Sequence, residues 1–118
     1  MHIIEIPTKL ESYNSYIDKN RRNKFMANKY KQDIEREIMS YVVKLPKIEK
    51  PVHIDITWVE TSKRRDPDNI SSGKKWILDS LVKCGVLQND THKWVKGFTD
   101  SFEFGNESKI ILRLSEVE

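Results

Sequence analysis

Cysteine is almost missing: of 118 residues only Cys84 carries a thiol. A single thiol excludes an internal disulfide framework and a cysteine-rich zinc site, and it fits a reducing compartment. Long apolar runs are missing too. No stretch approaches the roughly 20 residues that a bilayer-spanning helix needs, so no membrane partner is expected. The opening Met-His-Ile-Ile-Glu-Ile-Pro has neither a basic region nor an extended apolar run. That argues against a signal peptide, and a cytoplasmic setting is the expectation. Internal repeats, low-complexity tracts and linker-like stretches are not found. The chain reads as one domain, residues 1–118, with one core.

What the chain does have is charge. Lysine and arginine number 21 against 18 aspartates and glutamates, for a net charge of +3 at pH 7. Charged residues make up 33% and hydrophobic ones 37%. The balance permits nucleic-acid binding without establishing it, so the clustering of the charges decides. The apolar residues are few but periodic, which argues for order.

His2 to Ile6 reads as a strand with Ile4 and Ile6 on one face, stopped by Pro7. Residues 8–28 read as a long polar loop with Tyr13, Asn14 and Tyr16 and the basic run Arg21, Arg22 and Lys24. A loop of that length in a small domain is usually functional or disordered. The three cations are either a nucleic-acid contact or solvated surface charge. Residues 28–44 carry Tyr30, Ile34, Ile38, Tyr41 and Val42 at helical spacing, with Lys31, Asp33, Glu35 and Arg36 opposite, and Pro46 ends that helix. Residues 51–60 alternate Val52, Ile54, Ile56 and Trp58 with His53, Asp55 and Thr57, a half-buried strand. After the basic loop 61–66, Asp66 is a candidate N-cap and Pro67 a favoured first helical residue. That helix has an apolar stripe of Ile77, Leu78, Leu81 and Val82, an irregular first turn at Ser71-Ser72-Gly73, and Gly85 as its C-terminal cap. Lys93 to Phe104 and Lys109 to Ser115 read as two closing strands around the Gly105-Asn106 turn, and the tail Glu116-Val117-Glu118 is expected to fray. The fold expected is α+β, ordered β-α-β-α-β-β, with two helices packed on a small mixed sheet.

The chemistry-bearing residues cluster in residues 63–90. Asp66 and Asp68 flank Pro67, and nothing apolar nearby explains two aspartates as packing. Capping is the plain alternative, since both positions favour negative charge at a helix start. A calcium loop fails on spacing: counting from Asp66, the sixth residue is Ser71 where glycine is needed, and the twelfth is Ile77 where glutamate is needed. Asp90 lies beyond the helix that Asp68 opens. A helix of about 12–16 residues is about 18–24 Å long, so Asp90 meets Asp68 only where the chain turns back at Gly85. Gln88-Asn89-Asp90 reads as a turn after Val86 and Leu87, whereas convergence of the acids would have Leu87 to Asp90 run as a strand antiparallel to the helix. Three converging carboxylates would suit Mg²⁺, a hard ion that takes one or two of them and keeps water and phosphate oxygens as further ligands. Lys75, two turns from Asp68, would stabilise charge on a reacting phosphate, or else pair with Asp79 at i,i+4. Lys63, Arg64 and Arg65 would hold flanking phosphates, or else balance the acids.

Arg65-Asp66-Pro67-Asp68-Asn69, Lys75 with Asp79-Ser80-Leu81, Gly85-Val86 and Asn89-Asp90 together resemble the RusA family of Holliday-junction resolvases. The resemblance, which extends over nearly the whole chain, implies a RusA-like fold. It implies a homodimer that binds four-way DNA junctions and nicks two strands symmetrically, with Mg²⁺ or Mn²⁺. The essential acids it implies are Asp66, Asp68 and Asp90, and the catalytic lysine is Lys75, with Lys74 as the alternative and otherwise a DNA contact. It also implies DNA contact by the 14–23 segment, and many relatives belong to phages and prophages. Trp94 or Phe98 is a candidate for a dimer face, or simply core. A non-catalytic protein that binds branched DNA and a general, flap-type nuclease are the competing expectations.

Overall fold

The computed structural model describes residues 1–117. Four strands form one mixed sheet: β1 (His2–Ile6), β2 (Val52–Glu60), β3 (Val95–Phe104) and β4 (Lys109–Glu116). Their order is β1-β4-β2-β3. β4 runs antiparallel to both β1 and β2, whereas β2 and β3 are parallel. Helices cover one face. They are α1 (Tyr13–Arg22), α2 (Lys24–Val42), α3 (Pro67–Ser71) and α4 (Lys74–Lys83). The architecture is a small α+β domain with a four-stranded sheet, and no helix is long and apolar enough to cross a membrane among the described residues.

Alternation builds the core face of the sheet. Ile54, Ile56, Leu112 and Leu114 are completely buried, and Ile56 sits opposite Leu112 in the β2–β4 register. Ile38 and Val42 of α2 and Trp76, Ile77 and Leu81 of α4 close over that face in one cluster. The opposite face is polar and half-open: His53 Nε2 and Thr99 Oγ1 lie 2.7 Å apart, and Arg113 reaches both Thr57 Oγ1 (2.9 Å) and Asp55 (3.6 Å).

Several elements differ from the sequence expectation. Residues 8–28 are not a loop. They hold α1 and the start of α2. Two side-chain caps make this possible: Ser12 Oγ accepts from the Ser15 amide (3.2 Å), and Asn23 Oδ1 accepts from the Met26 amide (3.1 Å). Lysine and arginines in the last turn of α1 complement its dipole. The inward face of α1 is aromatic. Tyr13 packs tilted and Tyr16 edge-on against Trp76, with ring centroids 5.4 and 4.9 Å away. Glu35, expected on the polar face of α2, is 1% exposed, because α4 lies against that flank and Lys83 Nζ reaches its Oε1 at 2.7 Å. Its other oxygen has no partner.

The helix expected after Asp66 is two pieces, α3 and α4, broken at Ser72-Gly73. Gly73 is pressed against the 8–12 segment, where a Cβ would come within 3.2 Å of Leu10 Cβ. Gly85 does end α4. Its φ of 82° lets its amide bond the Val82 carbonyl and the Val86 amide bond the Leu81 carbonyl, a paired closure of the last turn. Residues Leu87 to Asp90 form bends in place of the strand that convergence of the acids would need. The Leu87 amide is already taken by the Leu81 carbonyl, and the Asp90 amide by Asn89 Oδ1 (2.8 Å). At the other end, Glu116 belongs to β4 and the Val117 amide bonds the Pro51 carbonyl, so neither frays; Glu118 lies outside the described residues.

Candidate functional site

Asp66 occupies the N-cap position of α3, with Pro67 as first helical residue, yet its side chain makes no capping bond. Its backbone carbonyl accepts from the Ile70 amide (3.0 Å), which starts the helix without help from the carboxylate. Asp68 follows in the first turn, where its carbonyl accepts from the Ser72 amide (3.1 Å). Both aspartates are exposed, and among the described residues neither carboxylate takes a hydrogen bond or an ion pair. Two like charges two residues apart at a helix start are kept in place by local backbone geometry alone.

The chain after Gly85 turns back along α4, and Asp90 comes to lie beside Lys75. Asp90, Asp79, Lys75, Lys83, Val82 and, from α2, Lys31 line a hollow of about 430 Å³. Lys75 Nζ donates to Asp79 Oδ1 at 2.9 Å. That hydrogen bond, with the charges of Asp79 and Asp90, holds the Lys75 ammonium above its ordinary pKa near 10.5 despite partial burial. In the sequence Asp79 stands as the i,i+4 partner of Lys75 and as part of the Asp79-Ser80-Leu81 motif, and Lys31 only as polar-face charge. What brings them to one hollow is the packing of α2 on α4.

Asp79 and Asp90 thus share the hollow with Lys75, and Asp66 and Asp68 sit at the head of α3. Among the described residues no three His, Cys, Asp or Glu side chains gather in an arrangement able to hold a metal ion. The Asp66–Asp68 pair alone suits Mg²⁺ in the kind and number of protein oxygens that such an ion takes.

Lys74 and Lys75 are adjacent but face different surroundings. Lys74 Nζ is 2.6 Å from Asp100 Oδ2 and 4.5 Å from the centre of the Phe98 ring, and only 22% of its side chain is exposed. Asp100 is held in turn by Trp58 Nε1 at 2.9 Å. Lys74 therefore ties α4 to β3, while Lys75 faces the hollow. Phe98 is 41% exposed at the sheet edge, and Trp94 is half-buried beneath Lys93.

Of the basic residues, Arg65 is the most constrained. Its guanidinium donates to Glu60 (2.9 and 3.0 Å) and to the Leu10 carbonyl (2.8 Å), pinning the 61–66 loop to the 8–12 segment. Arg64 is exposed, and Lys63 lies over the Phe104 ring at 5.3 Å. Arg22 pairs with Asp18 (3.2 Å); Lys24 is exposed in the first turn of α2. Arg21 joins Asn14, Ser15, Arg65 and Asn69 around a polar groove of about 650 Å³ between α1 and α3. Asn69, which directly follows Asp68 in the chain, is part of its wall, as is Asp18. No protein-family model matches the chain, and no curated protein matches it either.

Proposed function

We propose that the chain is a Mg²⁺-dependent endodeoxyribonuclease that resolves four-way DNA junctions by paired, symmetric nicks, acting as a homodimer. One observation carries this reading: an aspartate stands at a helix N-cap and does not cap. An N-cap aspartate normally stabilises its helix through its side chain. Asp66 leaves that bond unmade, and Asp68 beside it is equally unengaged. Two free carboxylates on a short helix, next to the exposed Arg64 and Lys63, suit a cation facing a phosphate better than they suit capping. The resemblance to the RusA family adds the junction, the dimer and Asp90 as the third acid.

In this reading Asp66 and Asp68 hold the ion. When bound, Mg²⁺ supplies Lewis-acid polarisation of the phosphate and a more acidic water. Lys75 stays protonated at neutral pH because Asp79 and Asp90 face it, so it serves as a fixed positive charge for the phosphate oxygens and not as a base. Asp90 is exposed and lines the same hollow as that charge. An isologous dimer presents two such sites to two equivalent strands.

The test is cleavage of four-way and linear duplex DNA in Mg²⁺. Wild type is expected to nick the junction in paired positions, and Asp66→Asn to bind it with cutting reduced by about a hundredfold or more. Absent Mg²⁺-dependent nicking, or full activity in Asp66→Asn, rejects the reading. A second reading, a branched-DNA-binding protein without chemistry, is favoured by one observation: no three of these side chains gather among the described residues. It requires metal-independent binding and no nicking. Cutting of flaps in preference to junctions assigns the same site to a general structure-specific nuclease.

A further inference from the structure

Phe25 is 79% exposed, more than any other large apolar side chain among the described residues, and Met26 beside it is 56% exposed. This fold forgoes the burial of that phenylalanine side chain. The two lie in the first turn of α2, at the corner where Asn23 alone separates α1 from α2 in an extended conformation. The same corner is the most basic stretch of the chain: residues 19–31 hold six lysines and arginines and no aspartate or glutamate. Lys29 lies one turn from Phe25, and Arg21 and Lys24 flank it along the chain. Behind Met26, an apolar hollow of about 280 Å³ opens against Ala27 and Tyr30, with Lys19 and Arg22 at its rim.

An apolar ring ringed by cations fits a polyanion that carries flat apolar faces. Base–aromatic stacking inside a positively charged track is how proteins take unpaired nucleotides. A second copy of the corner is a poor occupant, because it would set one cationic cluster against another. We propose that the α1–α2 corner is a base-stacking platform for branched DNA. Phe25 takes the face of an unstacked base at the branch point, and Arg21, Lys24 and Lys29 hold the neighbouring phosphates. This inference rests on the DNA reading above but not on the chemistry of the aspartates.

The experiment uses the full chain and a four-way junction with 2-aminopurine at the exchange point, with Ca²⁺ replacing Mg²⁺. Wild-type binding is expected to change the 2-aminopurine emission as the base leaves its neighbours. Phe25→Ala, at a site exposed enough to leave folding intact, is expected to weaken binding by about 5- to 100-fold and to remove the emission change. Phe25→Trp is expected to restore both. Affinity and emission unchanged in Phe25→Ala overturn the platform. So does a shift from dimer to monomer in sedimentation with the emission change intact, which assigns the patch to a second copy. Cleavage by wild type in Mg²⁺ is scored separately. Cutting with no Phe25 effect sinks the platform alone, a Phe25 effect without cutting sinks the nuclease alone, and no junction binding sinks both.

Discussion

Lys74 and Lys75 differ by one position and by almost everything else. Lys74 is one corner of a partly buried network with Asp100, Trp58 and Phe98. Removing its charge leaves Asp100 without its cation in a half-buried position. Lys74→Met is therefore expected to cost about 1–2 kcal/mol, read from urea unfolding, with a loss of cutting no larger than the loss of folded protein explains. Lys75 is 47% exposed at its side chain, and its bond to Asp79 is a helix-surface pair of the kind worth a few tenths of a kcal/mol, roughly. Lys75→Met is expected to change the unfolding midpoint very little while junction cutting falls by about a hundredfold. Equal loss of cutting in both variants after correction for folding contradicts the assignment of Lys75 as the phosphate-facing charge. In the sequence Lys75 is the first candidate and Lys74 its alternative, with no local pattern to show their different surroundings. A 100° step per residue along α4 is what separates them, turning one toward the sheet and the other toward α2.

At the scale of elements, α1 is the part of the fold that was hardest to read. Its stripe is made of tyrosines, which look like rim residues until Trp76 is placed beneath them. Its caps, Ser12 and Asn23, were legible residue types that carried little weight without an aliphatic pattern between them. The junction of α1 and α2 is held by a polar staple: Glu11 accepts from Lys19 Nζ at 2.8 Å and from the Tyr30 hydroxyl, and Lys19 lies 4.0 Å above the Tyr30 ring. Burial by itself would raise the Glu11 pKa. The hydrogen bonds from Lys19 and Tyr30, with the charges of Lys19 and Arg65, outweigh it and hold the carboxyl below its ordinary value near 4.5. Burial and the same carboxylate push the Tyr30 hydroxyl up, so it remains a donor across the ordinary range. A carboxyl whose folded pKa is depressed adds stability that is complete above its unfolded value and is lost as pH falls through the folded one. The expected outcome is a melting temperature that drops as pH falls below about 4.5, the ordinary value, with a smaller drop in Glu11→Gln. An acid limb that is identical in the two proteins shows that the staple contributes nothing.

At the scale of the molecule, one side chain joins most of the parts. Trp76 is wholly buried in α4, receives both tyrosines of α1, and donates from Nε1 to the Glu11 carbonyl at 3.1 Å. Trp76→Ala is expected to cost about 3–5 kcal/mol, a large share of the stability of a domain this size. The check is urea unfolding followed by both far-ultraviolet circular dichroism and tyrosine fluorescence. A single core predicts that the two probes move together, and separate transitions show that α1 is an independent unit. The sequence alone determined the strands, the long helix α2, the cap at Gly85 and the cluster of acids and cations around residues 63–90. These depend on local periodicity and turn chemistry, which act between neighbours in the chain. Only the tertiary structure decided the parallel pairing of β2 with β3, the burial of Glu35 against Lys83 and the placing of α1 on Trp76. It alone set Asp90 beside Lys75 and Asp79. Each depends on contacts between residues far apart in sequence, and their geometry is fixed by how helices close over a sheet, which no local pattern encodes.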